Sequence, residues 1–160
     1  MGAQELSTLL WRERELLELL QFKLEEERLL LTAGQARWLP FATREVEQVL
    51  ERLRVSGLER TIAAGEVADD WNAGQHTLGS LISAAPTAAW RETFEAHQRA
   101  LTDLTAAISE VRDVNLQYLR AASQSTQETL ASLDVGAGLY DASGGSSRDA
   151  APGRILDGEG

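Results

Sequence analysis

The chain has 160 residues, a length that suits one domain with a modest core and a short appended tail. Its formal net charge is −10 and the acidic excess is spread along the whole sequence, so no basic face is present to neutralise a nucleic acid or an anionic membrane. Because the charge disfavours nucleic acids and anionic membranes, we expect another protein as the partner. The absence of cysteine excludes disulfides, thiolate nucleophiles and cysteine-ligated zinc.

The N-terminal segment gives no sign of export or membrane insertion. Charged residues appear within its first dozen positions, where a signal peptide would need a long apolar stretch. No run anywhere approaches the roughly 20 apolar residues that span a bilayer. We therefore expect a cytoplasmic protein that does not insert into a membrane.

A first helix is predicted from about Glu5 to Ala33, with Gly34 as its natural stop. Leucines recur along it at intervals of seven, at Leu10, Leu17, Leu24 and Leu31. Such a heptad is also typical of basic-zipper transcription factors, but those proteins carry a segment rich in lysine and arginine just upstream, which is missing here. The pattern therefore favours an ordinary bundle helix.

A second helix is predicted to begin near Phe41 or Ala42, directly after Pro40, because proline is favoured at a helix start. Its expected apolar face is Val46, Val49, Leu50, Leu53, Leu58, Ile62 and Val67. Gly57 and Gly65 are weak points, and we expect a kink near Ser56 and Gly57. Residues 72–86 should connect to the next helix, with a short helical turn at Leu78 to Ile82.

The third helix is predicted from Pro86 or Thr87 to about Leu133 and carries the clearest pattern in the sequence. Its seam alternates steps of four and three residues, which is typical of a left-handed coiled coil. The seam residues are Trp90, Phe94, His97, Leu101, Leu104, Ile108, Val111, Asn115, Tyr118, Ala122, Ser125 and Thr129.

These elements predict an all-α fold, an antiparallel three-helix elongated bundle or coiled coil with a long C-terminal helix. Short connectors make the helices run up, down and up, so the surplus length of the third helix should lie beyond about residue 119. We assign residues 1–135 to the bundle domain. Residues 136–160 are rich in Gly, Ser and Asp and are expected to form a flexible tail.

The surplus end is where we expect a partner to bind. Its seam declines to Ala, Ser and Thr, which offer little apolar area for a bundle core. Asn115 marks the change, either as a polar residue that sets the helix register or as the start of a binding surface. Apolar residues without an obvious partner in the chain remain there, namely Leu119, Leu130, Leu133, Leu139 and Tyr140.

The sequence offers no support for an enzyme, a metal site or a cofactor. His76 and His97 are its only histidines, and neither has a metal ligand at helical spacing, so we expect a structural role for His97. The acidic run Glu25 to Glu27 occupies consecutive helical positions, which point in different directions. We interpret that run as a solvated face.

The chain resembles the FlgN family of flagellar export chaperones over about residues 5–144. The resemblance is carried by residues 78–119, "LGSLISAAPTAAWRETFEAHQRALTDLTAAISEVRDVNLQYL", and by "LYDASG" at 139–144. It implies a cytosolic chaperone that binds hook-filament junction proteins of the FlgK and FlgL type, protects them before secretion and delivers them to the export gate. The expected partner-binding residues are Asn115, Tyr118, Leu119, Ala122, Leu130, Leu133, Leu139 and Tyr140.

One alternative from a different class stays open at this point. The surplus end of the third helix could instead pair with its own copy, which would make the protein a homodimeric coiled-coil scaffold or adaptor without chaperone activity. The sequence pattern fits both readings equally well, because a seam that lacks a partner within the chain can be completed by a client helix or by a second copy.

Overall fold

The computed structural model describes the backbone of residues 2–144 and the side chains of residues 2–135. Four α-helices and one short 3₁₀ helix make up this part of the chain, which contains no strand. The helices are α1 (Gly2–Thr32), α2 (Leu39–Asp70), α3 (Leu78–Ala84) and α4 (Ala88–Gly144), and the 3₁₀ helix Ala36–Trp38 precedes α2. The predicted all-α fold is confirmed.

The helix ends follow from local chemistry. Gly34 ends α1 in the left-handed region, with φ of +67°, and the amide of Gln35 bonds the carbonyl of Leu30 at 2.9 Å. Pro40 lies in the first turn of α2, where its missing N–H costs nothing. Asn72 also adopts a positive φ, of 51°, just after α2.

Threonine side chains cap the N-termini of α3 and α4. Thr77 Oγ1 accepts a hydrogen bond from the amide of Ser80 at 3.2 Å at the start of α3. Thr87 Oγ1 accepts from the amide of Trp90 at 3.3 Å at the start of α4. The short helical turn expected near Leu78 is therefore a capped helix of 7 residues.

The described residues divide into two compact units, the first comprising residues 2–119 and the second residues 120–144. The first unit has two core clusters. One joins Leu6 and Leu10 of α1 to Val67 of α2 and Phe94 of α4. In the other, α1 residues Leu20 and Leu24 meet Val46, Val49 and Val111. Residue numbers rise together in α1 and α4 and fall in α2, so the predicted up-down-up arrangement is confirmed.

Ion pairs between α1 and α2 follow the same antiparallel order. Glu13 Oε2 lies 2.8 Å from Arg60 Nε, and Lys23 Nζ lies 3.0 Å from Glu45 Oε2. In each pair one partner remains exposed to solvent, which screens the attraction, so the bundle depends mainly on its apolar clusters.

Three residues of the predicted apolar face of α2 prove to be exposed, namely Leu50, Leu58 and Ile62. Leu58 and Ile62 lie on the surface, while Ala63, Ala64 and Ala68 face the core instead. A series of residues four apart drifts by about 40° around the helix at each step, which carries Leu58 and Ile62 away from the core side. The helix runs through Gly57 without interruption.

The third long helix ends later than predicted, at Gly144 rather than near Leu133. Gly136 and Gly138 each weaken a helix by about 1 kcal/mol, but extending an existing helix requires no new nucleation. The predicted flexible tail over 136–160 thus begins with nine helical backbone positions, and residues 145–160 lie outside the described part of the chain. The tail itself stays a prediction.

Candidate functional site

Asn115 marks the end of the buried part of α4. Its side chain is 2% exposed, and its Nδ2 donates to the carbonyl of Leu24 at 2.9 Å and to Glu27 Oε1 at 3.2 Å. The predicted register-setting role fits this position. The expectation that Asn115 contacts a partner does not fit it, because both donors and almost all of the surface are used inside the bundle.

Glu27 completes this buried polar cluster. Its carboxylate accepts from Asn115 and, through Oε2, from Thr43 Oγ1 of α2 at 3.3 Å. The predicted solvated face over Glu25 to Glu27 is therefore wrong for Glu27, which is buried. The spacing could have predicted that Glu27 is buried, because Glu27 follows the core residue Leu24 by three positions.

After Asn115 the first unit exposes its apolar residues. Leu116 and Tyr118 are exposed and Leu119 is half-buried. Tyr118 was expected on the seam, yet it is 43% exposed. The buried core face of α4 thus stops at Asn115, within the first unit.

The second unit carries an exposed apolar stripe. Every described side chain from residue 120 to residue 135 is exposed, including Leu130 at 57% and Leu133 at 64%. At 100° per residue, four of these side chains fall within about 80° of one another around α4. We call them the C-terminal stripe: Ala122, Thr126, Leu130 and Leu133.

Polar side chains in this segment bond mainly to their own helix. Thr126 Oγ1 donates to the carbonyl of Ala122, and Thr129 Oγ1 to that of Ser125, both at 2.9 Å. Such bonds give no burial of apolar surface. The predicted site residues Leu139 and Tyr140 lie on the helical backbone of α4, but their side chains are outside the described part, so their role stays a prediction.

His97 is a buried structural residue, in agreement with the prediction. Arg14 can only donate, so its 3.5 Å contact makes Nδ1 the acceptor and leaves the ring proton on Nε2, which lies 3.1 Å from Ser7 Oγ. The Trp11 and His97 rings pack in a T-shaped arrangement, with their centroids 5.2 Å apart. Burial, with a smaller effect of Arg14, lowers the pKa of His97 below its usual 6.5, so the imidazole is neutral near pH 7.

Sequence reasoning missed one cluster of candidate functional residues. Trp38 and Phe41, next to the turn between α1 and α2, are exposed and pack against each other. The only signal for them in the sequence is two aromatic residues beside Pro40, in a stretch without a helical pattern. Among residues 2–135, no group of three or more His, Asp or Glu side chains is arranged to hold a metal ion.

Comparisons with known proteins identify the family of the chain. The profile of the FlgN protein family matches residues 1–148, which is most of the sequence. Neither the curated proteins nor the solved structures contain a match. No helix in the described residues is long and apolar enough to cross a membrane. The match covers both compact units up to the end of α4, and the chain belongs to the FlgN family of flagellar export chaperones.

Proposed function

We propose that this protein is a cytosolic chaperone of hook-filament junction proteins of the FlgK and FlgL type and that it delivers them to the flagellar export gate. Membership of the FlgN family supports an export chaperone, whose partners are flagellar substrate proteins. The particular clients, the gate and the cytosolic location are proposals. Its acidic charge also supports a protein partner over a nucleic acid.

The observation that carries the proposal is the exposed C-terminal stripe. Subunits of a filament expose amphipathic helices before assembly, and such helices pair readily with one another. Leu130 and Leu133 offer an apolar face onto which a client helix can fold, burying surface on both proteins. Binding of this kind covers the client without chemistry, so the proposed role requires no catalytic group.

Tyr118 and Leu119 are proposed to add to the interface from the first unit, and Leu139 and Tyr140 from the residues after the stripe. Asn115 is left out because it is buried. The homodimer alternative uses the same stripe, since two copies could bury Leu130 and Leu133 against each other.

The decisive experiment is a binding titration with a purified junction protein of the FlgK or FlgL type. Leu130→Asp with Leu133→Asp places two charges in the proposed interface and should abolish binding, while the melting temperature of the protein changes by only a few degrees. Ala121→Asp with Ala131→Asp puts the same charges on the other side of the helix and should bind normally.

Two results would contradict the proposal. One is normal binding of the junction protein by the stripe variant. The other is a stable dimer of the wild-type chain that the stripe variant dissolves and that excludes the junction protein, because the stripe would then belong to the homodimer. Sedimentation analysis of both variants distinguishes these outcomes from a loss of folding.

A further inference from the structure

A separate exposed cluster lies in the first unit, where the chain enters α2. It consists of Arg37, Trp38, Phe41 and Arg44, and we call it the turn patch. Trp38 is 45% exposed and Phe41 is 58% exposed, with their ring centroids 5.9 Å apart. The guanidinium of Arg37 lies over the indole of Trp38, 4.4 Å from its ring centroid.

The fold has no evident use for these two aromatic rings. Neither belongs to a core cluster of the first unit, whereas Trp71 and Trp90 pack against the buried Phe94. Two large aromatic groups in water forgo the stabilisation that burial would give. Trp and Arg are also the residue types most enriched at the centres of protein interfaces.

The charge of the turn patch is opposite to that of the chain. The stretch from Arg28 to Arg44 contains three arginines and no acidic residue, in a protein of net charge −10. Arg28 pairs with Glu25 at 2.8 Å. Within the described residues, Arg37 and Arg44 form no ion pair. Both guanidinium groups are exposed and can bind carboxylates.

We propose that the turn patch binds an acidic segment of another protein that carries an apolar side chain between two carboxylates. The apolar side chain packs on Trp38 and Phe41, and the carboxylates pair with Arg37 and Arg44. These arginines are seven residues apart in the sequence, with Arg37 in the 3₁₀ helix and Arg44 in α2, and they flank Trp38 and Phe41. The proposal is independent of the client and of the C-terminal stripe.

Other occupants fit the turn patch less well. A symmetric contact with a second copy brings the arginines of both copies together, and like charges repel. An anionic membrane is recognised by clusters of about 4 to 8 basic residues, more than the patch provides. A patch of four side chains suits a weak, transient contact rather than a permanent complex.

Two synthetic helical peptides test the proposal directly. Both have the same leucine face and differ only in carrying glutamate or lysine beside it. Fluorescence anisotropy measures their affinity for the full chain, and the indole N–H signals of the protein locate the contact. We expect the glutamate peptide to bind at least tenfold more tightly and to shift the Trp38 signal, while Trp71 and Trp90 stay unchanged.

Charge reversal supplies the matched control. Arg37→Glu with Arg44→Glu should invert the peptide preference, and Trp38→Ala with Phe41→Ala should weaken the glutamate peptide at least tenfold. Leu58→Ala with Ile62→Ala removes exposed apolar groups elsewhere on α2 and should have no effect. Circular dichroism confirms that each variant remains helical.

Several outcomes would overturn the proposal. These are equal binding of both peptides, binding of neither, a preference that survives the arginine reversal, and a shift of signals other than Trp38. Tight binding to vesicles containing about 30% phosphatidylserine, lost in the arginine variant, would assign the patch to membranes instead. A dimer that the Trp38 and Phe41 variant dissolves would assign it to a second copy.

Discussion

Asn115 connects α4 to α1 at the end of the buried seam. Its amide reaches both the backbone of Leu24 and the carboxylate of Glu27, which Thr43 also contacts from α2. Its own Oδ1 is buried and has no hydrogen-bond partner within the protein. A residue bonded in this way fixes the relative register of the helices, because sliding either helix by one residue would break both bonds.

Replacing Asn115 by alanine should destabilise the protein by about 1 to 3 kcal/mol, because the buried carboxylate of Glu27 loses its amide donor. Urea denaturation measures the change. Gln117→Ala, at an exposed position two residues later, should stay within about 0.5 kcal/mol of the wild type. Equal denaturation midpoints for both variants would show that the polar cluster does not contribute to stability.

The buried His97 should make the fold sensitive to mild acid. The folded state holds the imidazole neutral, whereas the unfolded chain binds a proton at about pH 6.5. Stability is therefore full above pH 6.5 and falls as the pH drops from there toward the lowered pKa of the folded state. Protonation would also place a cation beside Arg14.

The measurement is the free energy of unfolding at pH 7.5 and at pH 5.5, in the wild type and in His97→Gln. The wild type should lose more stability than the variant over this interval. Glu13 affects stability in the opposite direction at lower pH, because burial raises the pKa of its carboxyl group although Arg60 lowers it. This contribution is the same in both proteins, so it cancels when they are compared. The same pH dependence in both proteins would contradict the assignment.

At the level of the helices, α4 combines two kinds of surface. Up to Asn115 its seam is buried or half-buried against α1 and α2, and from residue 120 to residue 135 every side chain is exposed. Apolar residues in the two parts should therefore differ sharply in their contribution to folding.

Phe94→Ala should destabilise the protein by about 3 to 5 kcal/mol, because Phe94 is fully buried between Leu81 and the tryptophans Trp71 and Trp90. Leu133→Ala removes an exposed apolar side chain of the same helix and should change stability by less than about 0.5 kcal/mol. Thermal or urea denaturation measures both. A large loss for Leu133→Ala would mean that the C-terminal stripe supports the fold of the free protein.

Sequence patterns predicted the elements well where a single physical rule dominates. Gly34 and Pro40 marked the end of α1 and the start of α2, and the alternating seam located α4 as far as Asn115. The end of α4 was missed because composition marks Gly136 as a break, although a long helix can continue through glycine at modest cost.

The candidate site was only partly predictable. Leu130 and Leu133 were expected to lack a partner in the chain, and they are exposed. Asn115 could not be assigned, because a polar residue at a seam position suits either a core or an interface. The turn patch could not be predicted from the sequence, since the exposure of its side chains depends on how the chain turns into α2 rather than on a repeat along one helix.

For the chain as a whole, the family match and the net charge both favour a protein partner. The FlgN profile spans both compact units, and the net charge of −10 disfavours a nucleic acid partner. The two units differ in where their apolar residues lie. The first unit contains the buried clusters that stabilise the fold, and the second presents apolar residues to solvent. We propose that a client covers the C-terminal stripe.

Amide hydrogen exchange on the free and the client-bound chain shows whether the client covers the C-terminal stripe. Few buried contacts hold residues 120–135, so their amides should exchange fast in the free protein, while those of residues 100–111 exchange slowly. Saturation with a purified junction protein should slow exchange selectively at 120–135, because the client buries the stripe. Unchanged exchange at 120–135 after saturation, or full protection there in a client-free monomer, would contradict the account.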